Sequence, residues 1–222
     1  MGRRVITIDY KPRDEQKEIH KALDDYRFCV TVAHRRMGKT VASIHELIKK
    51  ALICDKQRPR YAYIAPTYAQ AKRVAWDYLV HYTRPLEAYI NNSELRVDFL
   101  GRRISLYGSE NADYLRGQYF DGVIIDEVGD QNPRIWNEII RPGLADREGW
   151  CLFIGTPKGQ NHFKDLRDRA ETQEDWKLLE FKASETNLLK ETELASAKRE
   201  MGVEKYNQEF ECSFNAGVSG SY

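Results

Sequence analysis

The sequence predicts an α/β fold in which a mainly parallel central sheet is covered by helices on both faces. Short, continuously apolar segments alternate with segments of helical periodicity, beginning with a strand at 28–33 and a helix whose apolar face extends from Val41 to Leu52. Strands that are apolar throughout are typical of parallel sheets, because helices pack against both of their faces. A length of 222 residues accommodates one such domain.

The next segments repeat this pattern and add an insertion. A strand at 61–65 is followed by a helix that begins at Thr67. Two strands at 95–100 and 103–107 flank a Gly-Arg turn, which predicts a small hairpin inserted between the repeating units.

The second half of the chain contains three more strands, predicted at 122–127, 150–154 and 176–181. A helix is expected after Pro133, and a charged, helix-favouring tail extends over 192–210. The sheet therefore has strands from both halves of the chain.

The composition excludes several classes of protein. With 41% apolar residues the chain is neither disordered nor fibrous. A net charge of +1 leaves no strongly basic footprint, so any contact with DNA must be local. No run of about 18 apolar residues occurs, which argues against a membrane-spanning protein. The four cysteines lack CxxC spacing, and we expect neither structural zinc nor disulfides.

A phosphate-binding loop, called the P-loop below, is indicated between the first strand and the first long helix. It fits the pattern G-x-x-x-x-G-K-[ST], with alanine in place of the first glycine, and comprises Ala33, His34, Arg35, Arg36, Met37, Gly38, Lys39 and Thr40. Such a loop turns backbone N–H groups around phosphate oxygens. We expect Lys39 to reach the β and γ phosphates and the Thr40 hydroxyl to bind Mg²⁺. An ordinary turn is the alternative.

Two neighbouring arginines, Arg35 and Arg36, lie within this loop. They repel one another unless phosphate is bound or one of them pairs with an acidic neighbour. We expect one to sense the γ-phosphate and the other to be solvated or ion-paired.

Two carboxylates, Asp126 and Glu127, end an apolar strand downstream of the P-loop. We expect Asp126 to bind Mg²⁺ and Glu127 to act as the general base that activates water. A surface acidic pair is the alternative. Thr156 follows the next buried strand and is a candidate γ-phosphate contact, although a simple turn explains its Gly-Thr-Pro sequence almost as well. Gln16 could offer its amide to adenine or could equally cap a first helix.

Taken together, these motifs make the chain resemble the ATPase domain of the large terminase subunit, the DNA-packaging motor of tailed bacteriophages and related viruses. The resemblance extends from about residue 11 to 214. It depends on the segments AHRRMGKT, LRGQYFDGVIIDE, FIGTPKGQNHF and KYNQEFECSF. It implies a P-loop NTPase of the additional-strand catalytic-glutamate type that binds ATP and Mg²⁺.

The resemblance also implies roles for individual residues. Arg35 corresponds to an arginine implicated in nucleotide sensing, and Asp126 and Glu127 match the metal-binding and catalytic carboxylates. Thr156 lies in the motif that couples hydrolysis to DNA movement. Arg116 resembles an arginine proposed to reach into a neighbouring subunit's site, although a structural ion pair is as good an explanation.

The partners follow from the same resemblance. They are double-stranded DNA, a homo-oligomeric ring on the portal and the small terminase subunit, in the host-cell cytoplasm and without a membrane. We expect a motor domain over 1–214 and a linker or cut point over 215–222. Family members usually continue into a nuclease domain, and this chain stops where that domain would begin. We therefore expect no nuclease activity from this chain.

Other functions remain possible at this point. A helicase-like translocase shares the Gly-Lys-Thr loop and the Asp-Glu strand end, and a nucleotide-binding switch would use them with little turnover. A small-molecule kinase is disfavoured by Glu127, which suits water better than a substrate hydroxyl. DNA contacts are expected from Arg102 and Arg103 on the hairpin or from the basic residues after Thr156, unless these form only a solvated, ion-paired face.

Overall fold

The protein is built on one eight-stranded sheet, in a computed structural model that describes residues 6–215. The strands are β1 (Phe28–Ala33), β2 (Arg60–Ala65), β3 (Tyr89–Asn91), β4 (Arg96–Phe99), β5 (Arg102–Gly108), β6 (Gly122–Asp126), β7 (Trp150–Gly155) and β8 (Trp176–Phe181). Their order is β3-β4-β5-β2-β6-β7-β1-β8. Neighbouring strands are parallel along the series β5-β2-β6-β7-β1-β8. The pairs β3·β4 and β4·β5 are antiparallel. The predicted α/β class and inserted hairpin are confirmed.

Strand β7 lies between β1 and β6, which identifies the additional strand of the predicted NTPase type. Its Phe153 is in register with Val30 of β1 and with Ile125 of β6. Because all three strands run in the same direction, their carboxyl ends meet at one edge of the sheet, where ligands bind in open α/β folds. The P-loop, Asp126 and Thr156 are therefore neighbours in space.

Helices connect these strands and cover both faces. They are α1 (Asp14–Asp25), α2 (Lys39–Ile53), α3 (Tyr68–Ala71), α4 (Asp77–Thr83), α5 (Arg141–Gly143), α6 (His162–Thr172), α7 (Ala183–Thr186), α8 (Glu191–Met201) and α9 (Val203–Phe210). A π-helical segment, Lys72–Trp76, joins α3 to α4, and another, Ile135–Ile140, precedes α5. Three short 3₁₀ segments, Arg84–Leu86, Ser109–Leu115 and Val128–Asp130, complete the connections.

The sheet separates two hydrophobic cores. On one face, α1, α2 and α4 bury residues such as Ile44, Leu47 and Leu79 against the strands. On the other face, the rings of Trp136 and Phe153 meet edge to face with centroids 4.8 Å apart, beside Phe28 and Trp176. Burying one such large side chain contributes about 1.5–3 kcal/mol. The strands are apolar throughout because their side chains are buried on both faces of the sheet.

Four features differ from the sequence prediction. Strand β3 is not predicted, because it has only three residues and its Tyr89 is exposed, so that no buried pattern marks it. Helix α6 is not predicted either. The predicted tail helix is divided into α8 and α9 at Gly202, whose φ of 78° ends the first helix. The helix expected after Pro133 is mostly π-helical.

No helix within residues 6–215 is long and apolar enough to cross a membrane. Of the predicted linker at 215–222, residues 216–222 lie outside the described part of the chain.

Candidate active site

A cavity of about 910 Å³ opens at the carboxyl edge of the sheet, where β1, β6 and β7 end. Of the residues predicted from the sequence, the cavity is lined by Arg35, Arg36, Gly38, Lys39, Thr40, Asp126, Glu127 and Thr156. The cavity thus brings together a lysine, a hydroxyl group, two carboxylates and two arginines from elements that are far apart in the sequence.

The P-loop connects β1 to α2 through two residues in the left-handed conformation. Arg36 has a φ of 70° and Gly38, which caps α2, has a φ of 93°. The Lys39 ammonium donates hydrogen bonds to the carbonyl oxygens of Ala33 at 3.1 Å and His34 at 3.2 Å. Burial lowers the pKa of Lys39, and the negative charges of the two nearby carboxylates oppose that effect. The loop therefore encloses a cation at the N-terminus of α2, as a phosphate site requires.

The remaining P-loop side chains shape the loop from inside the protein. Met37 and Ala33 are fully buried in the core beneath the loop. His34 is buried too, and its Nε2 lies 2.9 Å from the hydroxyl of Thr186. Burial lowers the pKa of His34, which favours the neutral ring. These side chains do not line the cavity, so any contact they make with a nucleotide comes from their backbone.

The two P-loop arginines have different surroundings. The Arg35 guanidinium forms an ion pair with Glu209 of α9, and the backbone N–H of Arg35 donates to the Glu209 carbonyl at 3.2 Å. Glu209 also pairs with Lys205 at 2.8 Å. Arg36 has no ion-pair partner among residues 6–215. Arg35 is therefore the ion-paired arginine in this state, and a sensing role for it requires phosphate to compete with Glu209.

Asp126 is held by hydrogen bonds to both oxygens of its carboxylate. Oδ1 accepts from the backbone N–H of Glu127 at 2.9 Å, and Oδ2 accepts from the hydroxyl of Tyr63. Burial, together with the charge of Glu127, raises the pKa of Asp126 to about 6. A nearby cation, such as Lys39 or a metal ion, favours the charged form.

Glu127 itself has a φ of 47° and a ψ of 53°, in the left-handed region that residues other than glycine rarely adopt. Such a conformation costs of order 1 kcal/mol or more and is typical of functional sites. The turn explains how two consecutive residues, which would point to opposite faces within a strand, both line one cavity.

Thr156 directly follows β7 and is buried at the cavity wall. Its hydroxyl donates to the carbonyl oxygen of Ala33 at 3.4 Å. The side chain thus connects the end of the additional strand to the first residue of the P-loop.

Gln16 is buried, and both the oxygen and the nitrogen of its amide form hydrogen bonds within the protein. Its Oε1 accepts from the backbone N–H of Arg13 at 3.0 Å, which caps α1, and its Nε2 donates to the carbonyl oxygen of Gly38 at 3.1 Å. Gln16 therefore caps α1, which is one of the two roles that the sequence allowed for it. Arg13, and not Gln16, lines the cavity, and a contact between Gln16 and adenine stays a prediction.

Arg116 lies away from this cavity. Its guanidinium donates to Asp113 at 2.8 Å and to Glu138 at 3.3 Å, and its side chain is 46% exposed. Within one chain Arg116 thus forms the structural ion pair that the sequence offered as an alternative. An exposed arginine held in this way can also face a neighbouring subunit.

Among the site residues that were not anticipated from the sequence are three that hold other groups of the site in place. Tyr63 forms a hydrogen bond with Asp126, and Glu209 forms an ion pair with Arg35. The side-chain amide of Gln131 donates to the carbonyl oxygens of Ile64 at 3.1 Å and of Asp126 at 2.5 Å. The one local signal for Tyr63 was that it is one of two tyrosines in a short, otherwise apolar stretch. The partners of the other two are too distant in sequence for any local pattern to show them.

The basic residues proposed for DNA contact are mostly neutralised. Lys164 pairs with Asp168, and Arg167 pairs with Glu180 at 3.1 Å. On the hairpin, Arg103 pairs with Asp98 at 2.7 Å. This pattern favours the solvated, ion-paired face over a phosphate-binding surface.

The oxygen ligands needed for Mg²⁺ are present, since the Thr40 hydroxyl and the Asp126 carboxylate line the same cavity. Within residues 6–215 no group of three or more His, Cys, Asp or Glu side chains could hold a metal ion. Mg²⁺ commonly binds through one or two protein oxygens together with substrate phosphates, so the donor set fits an ion that enters with a nucleotide.

A large terminase subunit from a virus of Thermus matches most of this chain. The large terminase subunit of Thermus virus P23-45 is 30% identical over 185 residues, which cover 72% of this chain and 36% of that protein. The chain thus spans about a third of the length of this relative.

Solved structures have the same fold. The ATPase domain of the Thermus phage P74-26 large terminase superimposes with a TM-score of 0.81 at 22% identity, over 93% of this chain and 95% of that one. The large terminase of a thermophilic bacteriophage in complex with ADP gives a TM-score of 0.76 at 15% identity, over 91% of this chain and 53% of that one. A family model described as "Terminase large subunit, T4likevirus-type, N-terminal" matches residues 31–222. Since that match extends over most of the chain, the chain belongs to the family of T4-like-virus-type large terminase subunits and corresponds to their N-terminal part.

Proposed function

We propose that this chain is the ATP-hydrolysing motor domain of a DNA-packaging terminase, which couples Mg²⁺-dependent hydrolysis of ATP to movement of double-stranded DNA into a procapsid. The observation that carries the proposal is the single cavity shared by Lys39, Thr40, Asp126 and Glu127. Structures of the thermophilic-phage large terminase with ADP and with ATP-γ-S support a nucleotide as the ligand.

The hydrolytic step follows from the positions of the charged groups. Lys39 donates hydrogen bonds to the β and γ phosphates, in exchange for the loop carbonyls that it now contacts. Thr40 and Asp126 would hold Mg²⁺, which would supply positive charge against the phosphate oxygens.

Glu127 orients the attacking water and accepts its proton as the water oxygen bonds to the γ-phosphorus. The bond from that phosphorus to the β–γ bridging oxygen breaks, and its electron pair leaves with ADP. Glu127 then returns the proton to the phosphate released.

Two contacts could report loss of the γ-phosphate to the rest of the domain. Arg35 can exchange Glu209 for phosphate, which would release α9 from the P-loop. Thr156 connects β7 to the P-loop through Ala33, so a shift of the loop is transmitted to the additional strand. We assign γ-phosphate sensing to Arg35 and Thr156 on this basis.

We further propose that the active unit is a homo-oligomeric ring on the portal, assembled with the small terminase subunit in the host-cell cytoplasm. The support is the position of Arg116, which is half-exposed and outside its own chain's cavity. An arginine supplied by a neighbour is worth about 10³–10⁵ in rate, so an isolated chain hydrolyses ATP slowly.

The decisive experiment measures Mg²⁺-dependent ATP hydrolysis against protein concentration. In the native chain, turnover per subunit should rise with concentration. In Arg116→Ala this rise should disappear. Arg134→Ala is the matched control, since Arg134 shares the partner Glu138 and is similarly exposed to solvent, and it should keep the rise. Turnover per subunit that does not change with protein concentration in the native chain or in either variant would contradict the ring proposal.

The other candidate functions give different outcomes. ATP-dependent unwinding of duplex DNA would favour a helicase-like translocase, whereas binding without hydrolysis at any concentration would favour a nucleotide switch. The motor domain proposed for 1–214 has no assigned nuclease centre, and we expect no nicking of plasmid DNA by this chain with Mg²⁺ or Mn²⁺. Nicking that survives Glu127→Gln would contradict that expectation.

A further inference from the structure

We propose that Tyr63 is a positioning residue for the metal site, which holds the Asp126 carboxylate in the orientation that Mg²⁺ requires. This inference rests on the proposed function, because it assumes that Asp126 is a metal ligand. It concerns a residue on β2, a strand that contributes no side chain to the cavity lining.

The register of the sheet explains why a tyrosine at this position reaches Asp126. Tyr63 is in register with Ile124 on the neighbouring parallel strand β6. Asp126 follows Ile124 by two residues, so its side chain is on the same face of the sheet and about 6.6 Å further along the strand. A long side chain that ends in a hydroxyl group spans that distance, and the Tyr63 hydroxyl donates to Asp126 Oδ2.

The phenol that makes this contact is fully buried. Tyr63 has 0% and Asp126 5% of its surface exposed. Burial and the charge of Asp126 raise the pKa of Tyr63 well above its usual value, so the phenol keeps its proton and remains a donor. Loss of this donor would leave a carboxylate oxygen without its protein partner, which is unfavourable.

Both oxygens of the Asp126 carboxylate accept a hydrogen bond from the protein. With Glu127 N–H on Oδ1 and Tyr63 on Oδ2, the carboxylate cannot rotate freely. Hydrogen bonds to ligating groups are known to tune metal affinity by about 10–100-fold, and this arrangement places one such donor on each carboxylate oxygen.

The experiment compares Tyr63→Phe with Tyr61→Phe. Tyr61 is a matched control because it lies on the same strand and face, is 2% exposed, and donates its hydroxyl to the Lys50 carbonyl at 3.1 Å, away from the site. The measured quantity is the ratio of dissociation constants for a fluorescent ADP analogue without and with Mg²⁺. A partly unfolded sample alters both constants equally, so the ratio reports metal coupling alone.

We expect Tyr63→Phe to reduce this ratio about tenfold, while leaving binding without Mg²⁺ unchanged, and Tyr61→Phe to keep the native ratio. Equal ratios in both variants would overturn the inference and leave Tyr63 as a packing residue. Asp126→Asn separates the two proposals. If it abolishes Mg²⁺ coupling while Tyr63→Phe does not, only the role of Tyr63 fails. If Asp126→Asn itself keeps the native ratio, the metal site of the proposed function fails.

Discussion

Arg35 of the P-loop forms an ion pair with Glu209, which lies 174 residues later in the chain on α9. Glu209 is almost completely buried and takes a second cation, Lys205, on its other oxygen. Burial is the largest single influence on the pKa of Glu209 and raises it, but the two cations together outweigh burial and hold the pKa below its usual value, so the carboxylate stays charged. The last helix of the described chain is thereby joined to the loop that would bind phosphate.

Breaking this pair should free Arg35 for phosphate. In Glu209→Gln we expect the dissociation constant for ATP to fall several-fold, because Arg35 no longer has to exchange a carboxylate for the nucleotide. Equilibrium binding of a fluorescent ATP analogue measures it. Lys205→Met removes the other cation from Glu209 and should leave the affinity unchanged or slightly weakened. Weaker binding in Glu209→Gln would mean that the pair supports the loop and does not compete with phosphate.

Replacement of Glu127 by glutamine should separate binding from chemistry. The amide keeps the size of the side chain but cannot accept the water proton, so we expect hydrolysis to fall about 10²–10⁴-fold. Nucleotide affinity should stay within a few-fold of native, since Lys39 and the P-loop are unchanged. Single-turnover hydrolysis together with equilibrium binding provides both values. Turnover that persists in Glu127→Gln would assign the base to another residue.

The aromatic cluster on the second face of the sheet should dominate stability. Phe153 lies on the additional strand, is fully buried, and contacts the rings of Trp136 and Trp176. We expect Phe153→Ala to lower the free energy of unfolding by about 3–5 kcal/mol in urea titrations. Tyr89→Ala, at a position 62% exposed on the edge strand β3, should change it by less than about 0.5 kcal/mol. Comparable losses would place the stabilising core elsewhere.

His45 should make the domain sensitive to mild acid. Its ring stacks on Tyr10 with centroids 3.5 Å apart, and burial, with smaller contributions from His20 and His81, lowers its pKa to about 4. Because the unfolded chain binds the proton more readily, the stabilisation is complete above about pH 6.5 and is lost as the pH falls toward 4.

The loss from this one group is up to about 3 kcal/mol. His45→Phe keeps the stacked ring and removes the titrating group, so its stability should vary less between pH 6.5 and 4 than that of the native chain. Urea titrations at several pH values measure this, and identical pH profiles would contradict the assignment.

Local sequence was sufficient for the parts of this protein whose chemistry is local. The spacing of the P-loop and the two carboxylates after an apolar strand predicted a shared cavity, because parallel strands place their carboxyl ends at one edge. The partners of these groups could not be predicted in this way. The contacts from Tyr63 to Asp126 and from Arg35 to Glu209 depend on strand order and on how the tail returns to the sheet.

The roles of the two P-loop arginines show the same limit. The sequence indicates that the two arginines need either bound phosphate or an acidic partner for one of them, but it cannot identify such a partner without the position of α9. Likewise, Arg116 looks equally suited to an ion pair and to a neighbour's site, and a single chain displays only the ion pair.

The break at Gly202 has a consequence for how the domain opens. Helix α8, which precedes it, buries none of its residues, whereas α9 buries Tyr206 and Glu209. Backbone amides of an unburied helix exchange with solvent through low-energy local openings, while those of an anchored helix are protected nearly to the level of global unfolding. Deuterium should therefore enter α8 long before α9, so that the last two helices, although adjacent in the chain, belong to different cooperative units.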